Sequence, residues 1–205
     1  MNTTNYRIFV EKLPRFRVEA ESLRPELNAN LNLELGEVRL LCVYDLFGFS
    51  AELLEKSRYT VFGEVVTDSV TDACDLTGRK YIAVEYLPGQ FDQRAASAAD
   101  CVRLIDPEAQ VNIRSSKLLV FDDKVTDGDL AKIKHYYINA VESREKNLSV
   151  LTDLEQAEVK PVEVLEGFRE MADSEFESYC KAQGLAMNAD DLREVVKYFR
   201  AEGRD

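Results

Sequence analysis

The chain has 205 residues, 45% of them hydrophobic and 31% charged, enough for one large domain or two small ones with a buried core. Ten Phe, nine Tyr and long β-branched runs exclude a wholly disordered chain, and no run approaches the ~18 apolar residues of a membrane span. The 26 basic and 38 acidic side chains leave a net charge of −12, which repels phosphate backbones, so neither nucleic acid nor membrane is an expected partner. The opening Met1-Asn2-Thr3-Thr4 has no signal-peptide character, and a cytoplasmic location is expected.

The first strand is predicted over Tyr6–Lys12 and stops at Leu13-Pro14, where proline removes a ladder donor. Ala20, Leu23, Leu27 and Leu31 recur at helical spacing, with Pro25 expected to start, kink or interrupt that helix. A second strand is predicted over Val38–Asp45. A second helix follows, and Val61–Val66 is then a further strand candidate. The series begins again with a strand over Tyr81–Leu87 that ends at Leu87-Pro88. Asp92 then caps a helix whose apolar positions are Ala95, Ala98, Ala99, Val102 and Ile105. A strand over Lys117–Asp122 comes next. Thr126-x-x-Asp129 reads as a capping box for a helix carrying Leu130, Ile133 and Tyr137.

This recurrence is an internal repeat. Phe9-Val10-Glu11-Lys12-Leu13-Pro14 matches Ala83-Val84-Glu85-Tyr86-Leu87-Pro88, and Leu41-Cys42-Val43-Tyr44-Asp45 matches Leu118-Leu119-Val120-Phe121-Asp122. The register continues through Leu53/Leu130, Tyr59/Tyr136 and Val61/Ile138. The expected fold is α+β: two duplicated β-α-β-α halves forming a pseudo-twofold domain over residues 1–147. Each half alone buries too little surface to be stable, so the two are expected to share one core.

Residues 148–205 differ in character, with 7 basic and 14 acidic side chains. Leu151–Val164 is acidic, contains Pro161 and lacks periodicity, as a linker does. Two short helices are predicted after it. One starts near Asp173 with Phe176, Tyr179 and Cys180 on one face and Gly184 as its C-terminal cap. The other starts near Asn188 with Leu192, Val195, Val196 and Phe199 on one face.

The search for chemistry returns mostly exclusions. Cys42, Cys74, Cys101 and Cys180 include no C-x-x-C pair and His135 is the single histidine, so neither a zinc site nor a disulfide framework is expected; Cys42 and Cys101 read as small buried hydrophobes. His135 reads as an exposed cation near a helix C-terminus. No glycine-rich phosphate loop is present. The acidic run from Asp122 to Asp129 fails as a calcium loop, because Lys134 stands where the bidentate Glu belongs. Asp68, Asp72 and Asp75 could gather a cation but read as an exposed acidic loop.

Two polar segments stand out. Pro88-Gly89-Gln90-Phe91-Asp92-Gln93-Arg94 places amides, a carboxylate and a forked cation on a strand-to-helix turn, the kind of element that receives anions. Asn139-Ala140-Val141-Glu142-Ser143-Arg144-Glu145 leaves the last repeat helix. Gln90, Asp92, Gln93, Arg94, Glu142 and Arg144 are the candidate interface or active-site-facing residues, against the plainer reading of helix capping and surface ion pairing.

The stretch Ala83–Ala95 closely resembles a signature of the large single-chain phosphoribosylformylglycinamidine (FGAM) synthases of clostridial type. Tyr59-Thr60-Val61-Phe62, Ile138–Glu145, and Gly184-Leu185-Ala186-Met187 followed by Asp191-Leu192 resemble it too, in order along nearly the whole chain. The resemblance implies the N-terminal segment of a purine-biosynthetic enzyme that consumes ATP, with magnesium, and glutamine. In that family this segment looks like two fused copies of a separate small subunit. Its implied partners are the synthetase and glutaminase domains of the same longer chain, between which it would help enclose an ammonia path. The family's catalytic histidine, ATP-binding core and glutaminase cysteine match no position here. The segment is therefore expected to be a truncated piece that is structural rather than catalytic alone, with no cofactor of its own. The rival expectation is a free-standing α+β adaptor or ligand-sensing module.

Overall fold

Alternating side chains and β-branched residues make six strands: β1 (Thr4–Lys12), β2 (Val38–Phe49), β3 (Asp68–Thr71), β4 (Tyr81–Tyr86), β5 (Asn112–Phe121) and β6 (Ser143–Glu145). Six helices accompany them: α1 (Val18–Leu31), α2 (Ala51–Ser57), α3 (Gln93–Ile105), α4 (Asp127–Tyr137), α5 (Phe176–Gln183) and α6 (Ala189–Glu202). The structure, a computed structural model, describes residues 4–151 and 164–204. It divides into two units, Met1–Ala157 and Glu158–Asp205. The linker expected over Leu151–Val164 falls almost wholly outside the described residues.

The first unit is a mixed α+β fold on one open sheet in the order β3-β1-β2-β5-β4-β6, every neighbouring pair antiparallel. The order reads alike from either edge: edge strand, first strand and second strand of one half, then the same three reversed. At the centre Leu41 lies opposite Leu118, the two residues that head the matching sequence blocks. Both Leu-Pro corners make the same bond, with Leu13 N–H donating to the Thr67 carbonyl (2.8 Å) and Leu87 N–H to the Glu142 carbonyl (2.9 Å). The halves still differ. Glu11 lies opposite Leu41, whereas Glu85 lies opposite Ser116, two places from Leu118. A two-residue slip keeps each side chain on its own face of the sheet.

Even-numbered residues of β1, β2 and β4 and odd-numbered residues of β5 face the helices, in two clusters. Under α3 and the segment after α2 lie Ile8, Val10, Leu46, Ala98, Val102 and Ile113. Under α1 and α4 lie Leu23, Leu27, Ile82, Leu119, Phe121 and Ile133. The opposite face buries Phe9, Leu41, Val43, Ala83, Leu118 and Val120 beneath Cys74, Leu76 and Leu148 from the loops. That face also holds a chain of charges. Arg7 and Lys146 converge on Asp45, Lys146 reaches Glu85 at 2.7 Å, and Arg144 pairs with Glu85 at 2.9 Å.

Three expectations need correction. Val61–Val66 is not a strand: Arg58–Phe62 continues α2 as a π-helical turn, and the strand follows at Asp68–Thr71. Packing overrides β-propensity here, because the wide turn seats Phe62 against Tyr44 and Phe49, with ring centroids 5.0 and 6.1 Å away. Pro25 does not interrupt α1, which begins seven residues earlier and runs through it. Cys101 is exposed, because the buried stripe of α3 is made by Ala95, Ala98, Ala99 and Val102, and Cys42 is only half-buried.

In the second unit the two predicted helices find their partner in each other. Phe176 and Cys180 of α5 pack on Leu192 and Val196 of α6, with Phe168 and Met171 alongside. Gly184 ends α5 at φ +63°, the left-handed geometry that favours glycine. Asn188 and Asp191 form a reciprocal capping box at the start of α6.

Candidate functional site

The helices leave the middle of their sheet face uncovered. The α1 and α4 pair packs over one end of β2 and β5, and α3 with the π-helical turn over the other. Between them lies a cleft of about 720 Å³, lined by Tyr44, Gln93, Arg94, Ser97, Cys101, Lys117, Tyr137 and Glu142 among others. A second hollow of about 370 Å³ shares Tyr44, Val61 and Arg94 and extends to Phe16, Arg17 and Glu19 at the start of α1.

The Pro88–Arg94 turn sets one wall. Asp92 is the N-cap of α3: one carboxylate oxygen accepts from Ala95 N–H at 2.9 Å. The same carboxylate accepts Ser115 N–H and Ser115 Oγ–H, both at 2.8 Å, and so pins the helix start to β5. Its acceptor capacity is committed to the framework. Arg94, two residues on, reaches the buried Tyr44 hydroxyl and feels the Glu19 charge, with no salt bridge to a carboxylate among the described residues. Across the cleft, Lys117 projects from the middle of β5 and pairs with Glu19 at 2.7 Å.

Electrostatics fix the charge state of these groups. Burial pushes the Cys42 thiol and the Tyr44 phenol up, and Arg94 pulls each back only in part. Tyr137 is likewise raised by burial, against the pull of Lys117. Burial works against the Lys117 charge, but the Glu19 hydrogen bond outweighs it and the ammonium is held more firmly than usual. At neutral pH Arg94 and Lys117 are cations and Tyr44 and Tyr137 neutral phenols, while Glu85 and Glu142 also border the cleft.

Of the six candidate residues, Gln93, Arg94 and Glu142 line this cleft together. Gln90 does not join them. It lines a separate hollow of about 270 Å³ beneath the turn, and its amide lies 3.5 Å from the Val141 carbonyl. Asp92 serves as the cap, and Arg144 pairs with Glu85 on the opposite face of the sheet. Tyr44, Ser97, Lys117 and Tyr137 escaped the sequence reading. Lys117 carried a usable signal, a charge at a helix-facing position of a strand that continues Leu118-Leu119-Val120.

The remaining candidates are accounted for separately. His135 is exposed on α4 and does not line the cleft. Asp68 pairs with Lys12, Asp72 with Arg58, and Asp75 accepts from Thr77 N–H. Among the described residues no three His, Cys, Asp or Glu side chains gather closely enough to hold a metal ion. No described helix is long and apolar enough to cross a membrane. No family model matches the chain, and no curated protein matches it either.

Proposed function

We propose that this chain is the N-terminal, bridging part of an FGAM synthase, the ATP- and glutamine-consuming ligase that converts formylglycinamide ribonucleotide to its amidine. The observation that carries this reading is the run of motifs resembling that family, in order from Tyr59 to Leu192. The fold is compatible with it. A sheet order that reads alike from both edges, the central Leu41–Leu118 pair and two equivalent Leu-Pro corners support descent from one duplicated β-α-β-α unit. The segment is cytoplasmic, and its partners are the synthetase and glutaminase domains. Its role is to hold their geometry and exclude water from the path between them.

A direct test fuses the chain to the synthetase and glutaminase parts of an FGAM synthase lacking its own N-terminal region. Restored FGAM synthesis is expected; a folded, soluble fusion without it overturns the reading. In the restored enzyme Arg94→Ala should lower synthesis about tenfold, equivalent to about 1.4 kcal/mol of transition-state stabilisation. The unfused chain should hydrolyse neither glutamine nor ATP. Glutaminase turnover abolished by replacing one of its cysteines would contradict the assignment of roles.

One observation favours a second reading, a ligand-sensing module. A sensor needs a self-contained pocket with convergent polar groups, and the Arg94–Lys117 cleft has that form. The two readings part on the fusion experiment, since a sensor would restore no synthesis.

A further inference from the structure

We infer that the cleft between the two helix pairs is a binding site for a small ring-bearing organic anion, its carboxylate or phosphate held by Arg94 and Lys117 and its ring placed beside Tyr137. The inference stands on the geometry of this unit and does not rest on the FGAM synthase reading.

Size is the first argument. A hollow of about 720 Å³ matches the several-hundred-Å³ sites that enclose compact organic ligands. Charge is the second. The chain as a whole carries −12, yet this cleft gathers a guanidinium and an ammonium. Arg94 makes no salt bridge with a carboxylate among the described residues; the Tyr44 hydroxyl and the more distant Glu19 charge favour its cation. Glu85, which also borders the cleft, is already held by Arg144 and Lys146. Glu19 answers Lys117, and Glu142 is exposed to solvent. A guanidinium supplies parallel donors that suit a carboxylate or phosphate. Chemistry of the walls is the third. Tyr44, Tyr137 and Ser97 offer hydroxyls that donate as well as accept, and the half-buried Tyr137 adds ring surface for a planar body.

The test uses the 205-residue protein with benzoate and phenyl phosphate as probes and benzyl alcohol as the neutral control. Binding is followed by amide chemical shifts. Saturable, one-site shifts at amides around Arg94, Lys117 and Tyr137 are expected for an anionic probe. Arg94→Gln should weaken that binding by about tenfold, the loss that accompanies a removed charge-assisted hydrogen bond. Lys181→Gln, a charge change in the second unit, should leave it unaltered. Whichever anion binds more tightly identifies the headgroup. The inference is overturned if neither probe saturates, if benzyl alcohol binds as well as both anions, or if a folded Arg94→Gln protein binds like the parent. A Tyr137→Phe variant checks the wall independently: it should weaken binding while leaving the thermal midpoint in place, and unchanged binding counts against the site.

Discussion

Lys146 is a buried charge of the first unit, and Lys146→Met is a sharp perturbation of its network. Its side chain is 6% exposed and bridges Asp45, 5% exposed, and Glu85, 12% exposed, at 2.9 and 2.7 Å. Methionine keeps most of the packed volume while deleting the charge. Removing one partner of a buried pair costs about 3–5 kcal/mol when the other charge is stranded. Here neither carboxylate is stranded, because Asp45 keeps Arg7 and Glu85 keeps Arg144. The expected loss is therefore smaller, about 2–3 kcal/mol. Urea unfolding, read through hydrogen exchange of β2 and β5 amides, measures it in the sheet itself. Acid supplies a second check. Burial raises the Asp45 pKa, but the Arg7 and Lys146 hydrogen bonds and charges outweigh it and hold the carboxyl below its usual value. Its contribution is then complete above the unfolded pKa near about 4, and is lost as pH falls through the depressed folded pKa. Without Lys146 the depression is weaker, so the parent loses more stability than the variant on acidification and the gap between them narrows. A loss below about 1 kcal/mol at neutral pH, or a gap that does not narrow in acid, would refute this account of the network.

Two further outcomes follow from local geometry. Gly63→Ala places a Cβ 2.5 Å from Val70 Cγ2 and should cost about 1–3 kcal/mol by forcing β3 from the edge of the sheet, visible as faster exchange at Val70 and Thr71. Asp92→Ala removes both the α3 cap and the acceptor for Ser115, for about 2–3 kcal/mol, whereas Arg94→Ala should stay within about 0.5 kcal/mol of the parent in thermal melts. Equal losses at the two positions would mean that cap and cleft have been wrongly separated.

Much of the framework could be read from residues alone because local rules and tertiary packing agree there. Thr126 and Asp129 cap α4, Asn188 and Asp191 cap α6, and Gly184 ends α5, each from side-chain or backbone chemistry confined to one turn. Val61–Val66 failed because its β-branched residues compete with Phe62, whose ring fills a gap between Tyr44 and Phe49 that no local rule reveals. Cys101 failed for a similar reason. A helix of alanines can lie close to the sheet on a narrow stripe, and that stripe runs on to Val102 with position 101 to one side of it.

The cleft itself could not be read, and the cause is topological. Its two cations are 23 positions apart, on α3 and β5, and its phenols come from β2 and α4. They meet because the helices of the two halves exchange partners: α3 packs with α2 and its π-helical turn, and α1 with α4, which opens the face along the central strands. Had each helix pair stayed over its own half, the line between the halves would still have crossed the centre. The floor of that line is set by β2 and β5. On the helix-facing side Cys42 lies opposite Lys117 and Tyr44 opposite Ser115. Further along the same strands, Leu119 and Phe121, which the sequence match pairs with Cys42 and Tyr44, are apolar and buried beneath α1 and α4. The two ends of the central strands thus differ, one being core and the other the floor of a polar cleft. An arginine without a salt bridge among the described residues stands at the second, so the difference between the two ends locates the cleft better than either end read alone.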